Sequence, residues 1–217
     1  MTKNVDKIRL SYSTINELFA EPHTYLNKIM GIPRHTSQAM EEGKSAHKII
    51  QEHVSGKKLN PLLDKLPQFE IVETMDRDPK TEITYQINDK YYLIGYADGI
   101  DPKTSSLLEV KSGKKWTPLE FARLMQWRLY LLGLPDIKTV YLVNTPRVES
   151  EWNTDNIRIF KTSVVKNDIK NAKEYLDRAI YMIEHIKDQN LYPAKKSYFC
   201  NYIGCSFCPQ AQIKVSV

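Results

Sequence analysis

The stretch from Gly95 to Tyr130, GYADGIDPKTSSLLEVKSGKKWTPLEFARLMQWRLY, constrains this chain more than any other. It reads as a strand closed by Asp98, a turn, a second strand and a helix. Side chains alternate across an extended chain, so Glu109 and Lys111 share one face of the second strand while Leu108, Val110 and Ser112 take the other. Two residues of strand separate Glu109 from Lys111 by about 6.6 Å. An acid and an ammonium on an otherwise apolar strand are costly to bury unless they are paired or bind a metal. With Asp98 they make two acids converging on a lysine, a set suited to holding a divalent metal and hydrolysing a phosphate ester. Oxygen donors favour Mg²⁺ or Mn²⁺.

The helix that follows is strongly marked. Thr117 reads as its N-cap, Pro118 as its first residue and Glu120 as the partner in a capping box. The pattern predicts a helix to about Leu132, ended by Gly133. Gln126 and Tyr130 are four residues apart and share a face. Between strand and helix, SGKKW is a basic loop, either a phosphate contact or a solvated turn.

Asp98, then Glu109-Val110-Lys111, then Gln126-x-x-x-Tyr130, with His47 upstream in GKSAHKII, resembles the PD-(D/E)XK nuclease superfamily. It is close to the RecB-like exonucleases and the single-domain CRISPR-associated nucleases related to them, phage-type members included. The resemblance covers about residues 11 to 208. It implies an α/β fold with a restriction-endonuclease-like core, a mixed sheet flanked by helices. It implies a Mg²⁺- or Mn²⁺-dependent nuclease that hydrolyses DNA phosphodiester bonds from an end, in recombination, repair or phage DNA processing. His47, Asp98, Glu109 and the Val110 carbonyl would hold the metal. Lys111 would act on the attacking water, with Gln126 and Tyr130 positioning it or the scissile strand. Asp101 rivals Asp98, but Asp before Pro is a routine turn-former, and Gly95 gives Asp98 the Gly-x-x-Asp spacing. Partners implied are DNA, single-stranded or at ends, and a helicase, integrase or recombination protein. The other readings are a catalytically silent nucleic-acid-binding subunit and an accessory component of a recombination or CRISPR-adaptation complex.

The tail carries Cys200-x4-Cys205-x2-Cys208. In the resembling branch, three such cysteines join an N-terminal one around a four-iron–four-sulfur cluster. Here Glu21 stands where that cysteine would be, and the spacings run in reverse order. An iron–sulfur cluster with an unassigned fourth ligand, a zinc knuckle and three free thiols all stay open.

The remaining segments read in order. A helix covers 13–30, capped at Thr14-x-x-Glu17 and broken near Glu21 by Pro22. A loop at 33–40 precedes a helix over Glu41–Val54, and 55–80 is a variable connection with a short helix near Pro61–Leu66. Strands are expected at Thr81–Ile87 and Lys90–Asp98, around an Asn88-Asp89 turn, and at Lys138–Asn144 and Ile157–Thr162. A long amphipathic helix covers Asn167–Lys187. With 217 residues the chain fits one domain, 1–217, with the cysteine segment at about 190–210. Its 31 basic against 26 acidic residues give a charge of +5, compatible with a polyanion partner. No apolar run is long enough to span a membrane, and MTKNVDKIRLSYS is no secretory leader. Cysteines confined to one knuckle point to a reducing cytoplasm rather than a disulfide framework.

Overall fold

The protein is described by a computed structural model, covering residues 7–20, 38–74 and 77–185. These residues fall into two compact units, one of 7–9 and 38–172, the other of 10–20 and 173–185.

The first unit is mixed α/β and holds two sheets. Strands β1 (Ile8–Leu10), β3 (Glu82–Gln86) and β4 (Tyr91–Tyr96) form a sheet of order β1-β4-β3. Strands β2 (Ile71–Val72), β5 (Gly99–Asp101), β6 (Ser106–Ser112), β7 (Thr139–Thr145) and β8 (Arg158–Ser163) form a sheet of order β2-β5-β6-β7-β8. All neighbours in that sheet are antiparallel except β6 and β7, which are parallel. Parallel neighbours need a long crossover. Here it carries α3 (Pro118–Arg123) and α4 (Met125–Gly133). Helix α2 (Gln38–Val54) packs its Ala46, Ile50 and Val54 into a core shared with Leu63, Phe69, Leu108, Val110 and Val143. Fully burying one such aliphatic side chain stabilises the fold by about 1.5–3 kcal/mol.

In the second unit, α1 (Tyr12–Ala20) buries Ile15 and Leu18. The rings of Phe19 and Tyr175 lie 4.7 Å apart. Tyr175 belongs to α5 (Lys166–His185), which begins in the first unit.

Several expected boundaries change. The Lys90–Asp98 strand ends at Tyr96, and after a bend at Asp98 the chain re-enters the other sheet as β5. Helix α1 starts at Tyr12, before Thr14, and the Ser11 hydroxyl accepts from the Thr14 amide at 3.3 Å. The helix expected from Thr117 to Leu132 is broken at Leu124, whose backbone is extended (φ −64°, ψ 118°). Helix α4 ends at Gly133, its last residue, although without a left-handed backbone there. A Cβ there would stand 2.6 Å from Ile83 Cγ2 and 2.7 Å from the Thr84 carbonyl, so glycine also serves close packing against β3. The Thr117–Glu120 capping box forms as expected, as do the β3–β4 hairpin and the β7–β8 pair. Helix α2 begins at Gln38, so residues 38–40 of the loop expected over 33–40 are helical; the rest of that loop and the break expected near Glu21 lie outside the described residues, as do Cys200, Cys205 and Cys208.

Candidate active site

The bend between the sheets creates the site. Asp98 sits where the chain leaves β4 and enters β5, beside the end of β6. Its side chain, 9% exposed, takes the place of the missing ladder partner of β6. The Val110 amide donates to Asp98 Oδ2 at 2.7 Å. In an extended strand a residue's amide and carbonyl point to the same side, so the Val110 carbonyl also faces Asp98.

Helix α2 supplies His47. One turn earlier, a Cβ on Gly43 would lie 3.0 Å from Ser112 Oγ. Glycine there lets the helix settle onto the end of β6. His47 Nδ1 then stands 3.1 Å from Asp98 Oδ1. Burial is the largest single influence on the imidazole and lowers its pKa, but the Asp98 charge and hydrogen bond, with Glu109, outweigh it. The net shift is upward.

Glu109 is fully enclosed, 1% exposed. Lys111 Nζ donates to its Oε1 at 2.5 Å and to Gln126 Oε1 at 2.7 Å. Gln126 Nε2 donates to the Tyr130 hydroxyl at 2.8 Å, which donates to the Tyr96 carbonyl at 3.0 Å. One relay thus runs from Glu109 through the ammonium to the backbone of β4. Glu109 Oε2 is buried without a hydrogen-bond partner among the described residues. Burial pushes the Glu109 carboxyl up to about 7, against the lowering pull of Lys111. Burial likewise drives the Tyr130 phenol well above its ordinary value.

Gly95 has a physical reason here. A Cβ on it would lie 2.3 Å from Tyr130 Cε1. Only a bare α-carbon lets that ring lie against β4 and reach Gln126. Asp101, the rival acid, caps its own turn, accepting from the Lys103 amide at 3.3 Å and the Thr104 hydroxyl at 2.5 Å. His53 is buried and accepts from the Asn60 amide at 2.9 Å, a structural role.

The fold therefore brings His47, Asp98, Glu109, Val110, Lys111, Gln126 and Tyr130 into one cluster. Among the described residues, no three His, Cys, Asp or Glu side chains already stand in a metal-holding group. The acids are closed on His47, Val110 and Lys111 instead.

Sequence reasoning missed Asn144. It pairs in register with Lys111 across the parallel ladder and is 1% exposed. Its amide donates to the carbonyls of Lys111 (3.1 Å) and Lys114 (2.9 Å) and accepts from the Trp116 amide at 2.8 Å. Arg158 adds a bond to the Trp116 carbonyl at 2.8 Å. The basic loop after Lys111 is thus a fixed structure. The signal was a lone amide in the apolar run YLVNT, since a buried polar side chain must find partners.

No family model matches the chain, and no curated protein matches it. Solved structures do. SSO0001 aligns with a TM-score of 0.54 at 15% identity, over 94% of this chain and 87% of that one. A presumed exonuclease from Eubacterium rectale aligns at 0.53 and 13% identity, over all of this chain and 91% of its own. The alkaline exonuclease LHK-Exo from Laribacter hongkongensis follows at 0.46 and 13% identity, over 88% and 96%. The mixed α/β fold, with mixed sheets flanked by helices, is the fold of the first two structures.

Proposed function

We propose that this chain is a metal-dependent deoxyribonuclease of the RecB-like PD-(D/E)XK type, hydrolysing DNA phosphodiester bonds from an end. The observation that carries this reading is the relay through Lys111. A buried acid and a glutamine hold the ammonium on the same face as a second acid, in a fold shared with a presumed exonuclease. A silent binding subunit would have no need of so closely held an ammonium.

The donors fit a hard divalent cation. Asp98, Glu109 and the Val110 carbonyl offer oxygen and His47 a ring nitrogen, a set suited to Mg²⁺ or Mn²⁺. Glu109 Oε2 is left without a hydrogen-bond partner among the described residues, and its carboxyl is held up near 7 despite Lys111. Burial is what raises the carboxyl; the open oxygen is the one a cation would satisfy. When bound, the metal would lower the pKa of a water and offset charge developing on the phosphate.

The chain's own residues do the rest. Asp98 is oriented by the Val110 amide and keeps its other oxygen toward His47. Glu109 and Gln126 hold the ammonium of Lys111 where it can orient the attacking water and face the developing negative charge. An aligned charge of this kind is worth roughly 3 kcal/mol of transition-state stabilisation. Tyr130 fixes the Gln126 amide so that its oxygen, not its nitrogen, faces Lys111. The test is digestion of end-labelled DNA with and without Mg²⁺ or Mn²⁺. Inert protein under both metals sinks the reading.

A further inference from the structure

We propose that Arg147, seated on Gly113, grips a phosphate of the DNA strand beside the one undergoing cleavage. The inference rests on the nuclease reading and extends it to substrate binding.

The geometry begins at the glycine. Gly113 lies two residues past Lys111, with a φ of +99° that favours glycine. Its amide donates to the Thr145 carbonyl at 2.9 Å. A Cβ added there would meet Arg147 Nε at 2.8 Å and both Cζ and Nη2 at 3.0 Å. The guanidinium therefore packs against Gly113, in the space a side chain there would fill.

Arg147 is exposed and, among the described residues, makes no hydrogen bond or ion pair. Lys115 on the same loop is likewise exposed and unpaired, whereas Lys114 is taken by Glu120. The loop beneath them is pinned by Asn144 and Arg158. A guanidinium packed against a pinned loop loses less freedom on binding than one on a free chain. Its planar fork matches two oxygens of a phosphate. Gly113 lies about 7 Å along the strand from Lys111. That is the reach of one or two phosphates along a nucleic-acid strand, at about 3.4 Å of rise each. The pair Arg147 and Lys115 thus fits a polyanion next to the reacting bond, and a rigid seat of this kind favours a regular phosphate backbone over an acidic peptide.

The test uses the full chain carrying Lys111→Ala, which binds without cutting. Its affinity for a labelled single-stranded oligonucleotide is measured across a salt series. Arg147→Ala should weaken binding about tenfold at low salt and reduce the slope of log affinity against log salt by about 0.7, one single-strand phosphate contact. Arg147→Lys should restore the slope but not the full affinity, because an ammonium keeps the charge without the fork. With Lys111 intact, the loss should fall on KM rather than kcat. Because Arg147 is exposed, Arg147→Ala should leave the melting temperature in place. An unchanged slope and affinity in Arg147→Ala, while the unsubstituted chain cleaves DNA, overturns this inference and leaves the nuclease reading standing. A loss in kcat with unchanged KM also overturns it, because it would put Arg147 at the reacting bond. If the unsubstituted chain neither binds nor cuts DNA, both fall.

Discussion

Gly95→Ala should disable the site from behind. The added methyl would begin 2.3 Å from Tyr130 Cε1, 3.0 Å from Cδ1 and 3.2 Å from Cζ, so the ring must move. It cannot swing freely. Tyr130 is 5% exposed, and its hydroxyl is tied to Gln126 and to the Tyr96 carbonyl. Overpacking of this kind costs about 1–3 kcal/mol, and two lost hydrogen bonds add about 1 kcal/mol each. The sum, about 3–5 kcal/mol, corresponds to a fall in melting temperature of roughly 6–20 °C for a chain of this size. Gln126 would lose its anchor and Lys111 its second partner, so cleavage should fall with stability. Thermal melts of Gly95→Ala, Tyr130→Ala and the double variant measure the coupling. Removing the ring makes room for the methyl, so the double variant should be clearly more stable than the two single losses predict. A Gly95→Ala protein melting within a degree of the unsubstituted chain, or strictly additive losses, would refute the steric argument.

Other predictions follow from single residues. Asp98→Asn, Glu109→Gln and Lys111→Ala should each lower the cleavage rate by at least 100-fold, with near-native circular dichroism, since each loses a metal donor or a transition-state charge of about 3 kcal/mol. His47→Ala should raise the Mn²⁺ concentration needed for half-maximal activity, and an unchanged curve with a lowered melting temperature would make His47 a packing residue. Folding raises the Glu109 pKa to about 7, so without metal its burial costs more stability as pH climbs from the ordinary carboxylate range through 7. Mn²⁺ should therefore raise the melting temperature more at pH 8 than at pH 6, and an equal rise at both would count against Glu109 as a ligand. Asp78, 1% exposed, accepts from the Thr74 hydroxyl and amide and the Lys80 amide; the hydroxyl bond foremost holds its carboxyl below the usual range. Its contribution is whole above the ordinary Asp pKa and lost as pH falls through the lowered one, so Asp78→Asn should flatten the acid limb of the stability curve below about pH 4.

What the sequence made legible was local chemistry. Alternation put Glu109 and Lys111 on one face, a four-residue spacing put Gln126 and Tyr130 together, and Thr117 announced its capping box. What it hid was long-range. The bend at Asp98, which moves the chain from one sheet to the other, leaves no mark in a run that reads as one strand. The break at Leu124, a buried residue, carries no Gly or Pro to mark it. Gly133 reads as a helix stop, and its close packing against β3 leaves no mark in the sequence. Asn144 and Arg147 gain meaning only when the parallel ladder brings β7 beside Lys111, thirty-odd residues away in sequence.

Cleavage by the unsubstituted chain beside Lys111→Ala, on one end-labelled DNA with Mn²⁺ and then with excess chelator, tests the central claim most directly. The unsubstituted chain should shorten the DNA progressively from an end with Mn²⁺ and stop in chelator, and Lys111→Ala should leave the label intact under both. Digestion by Lys111→Ala at the unsubstituted rate, or digestion that persists in chelator, would contradict the account.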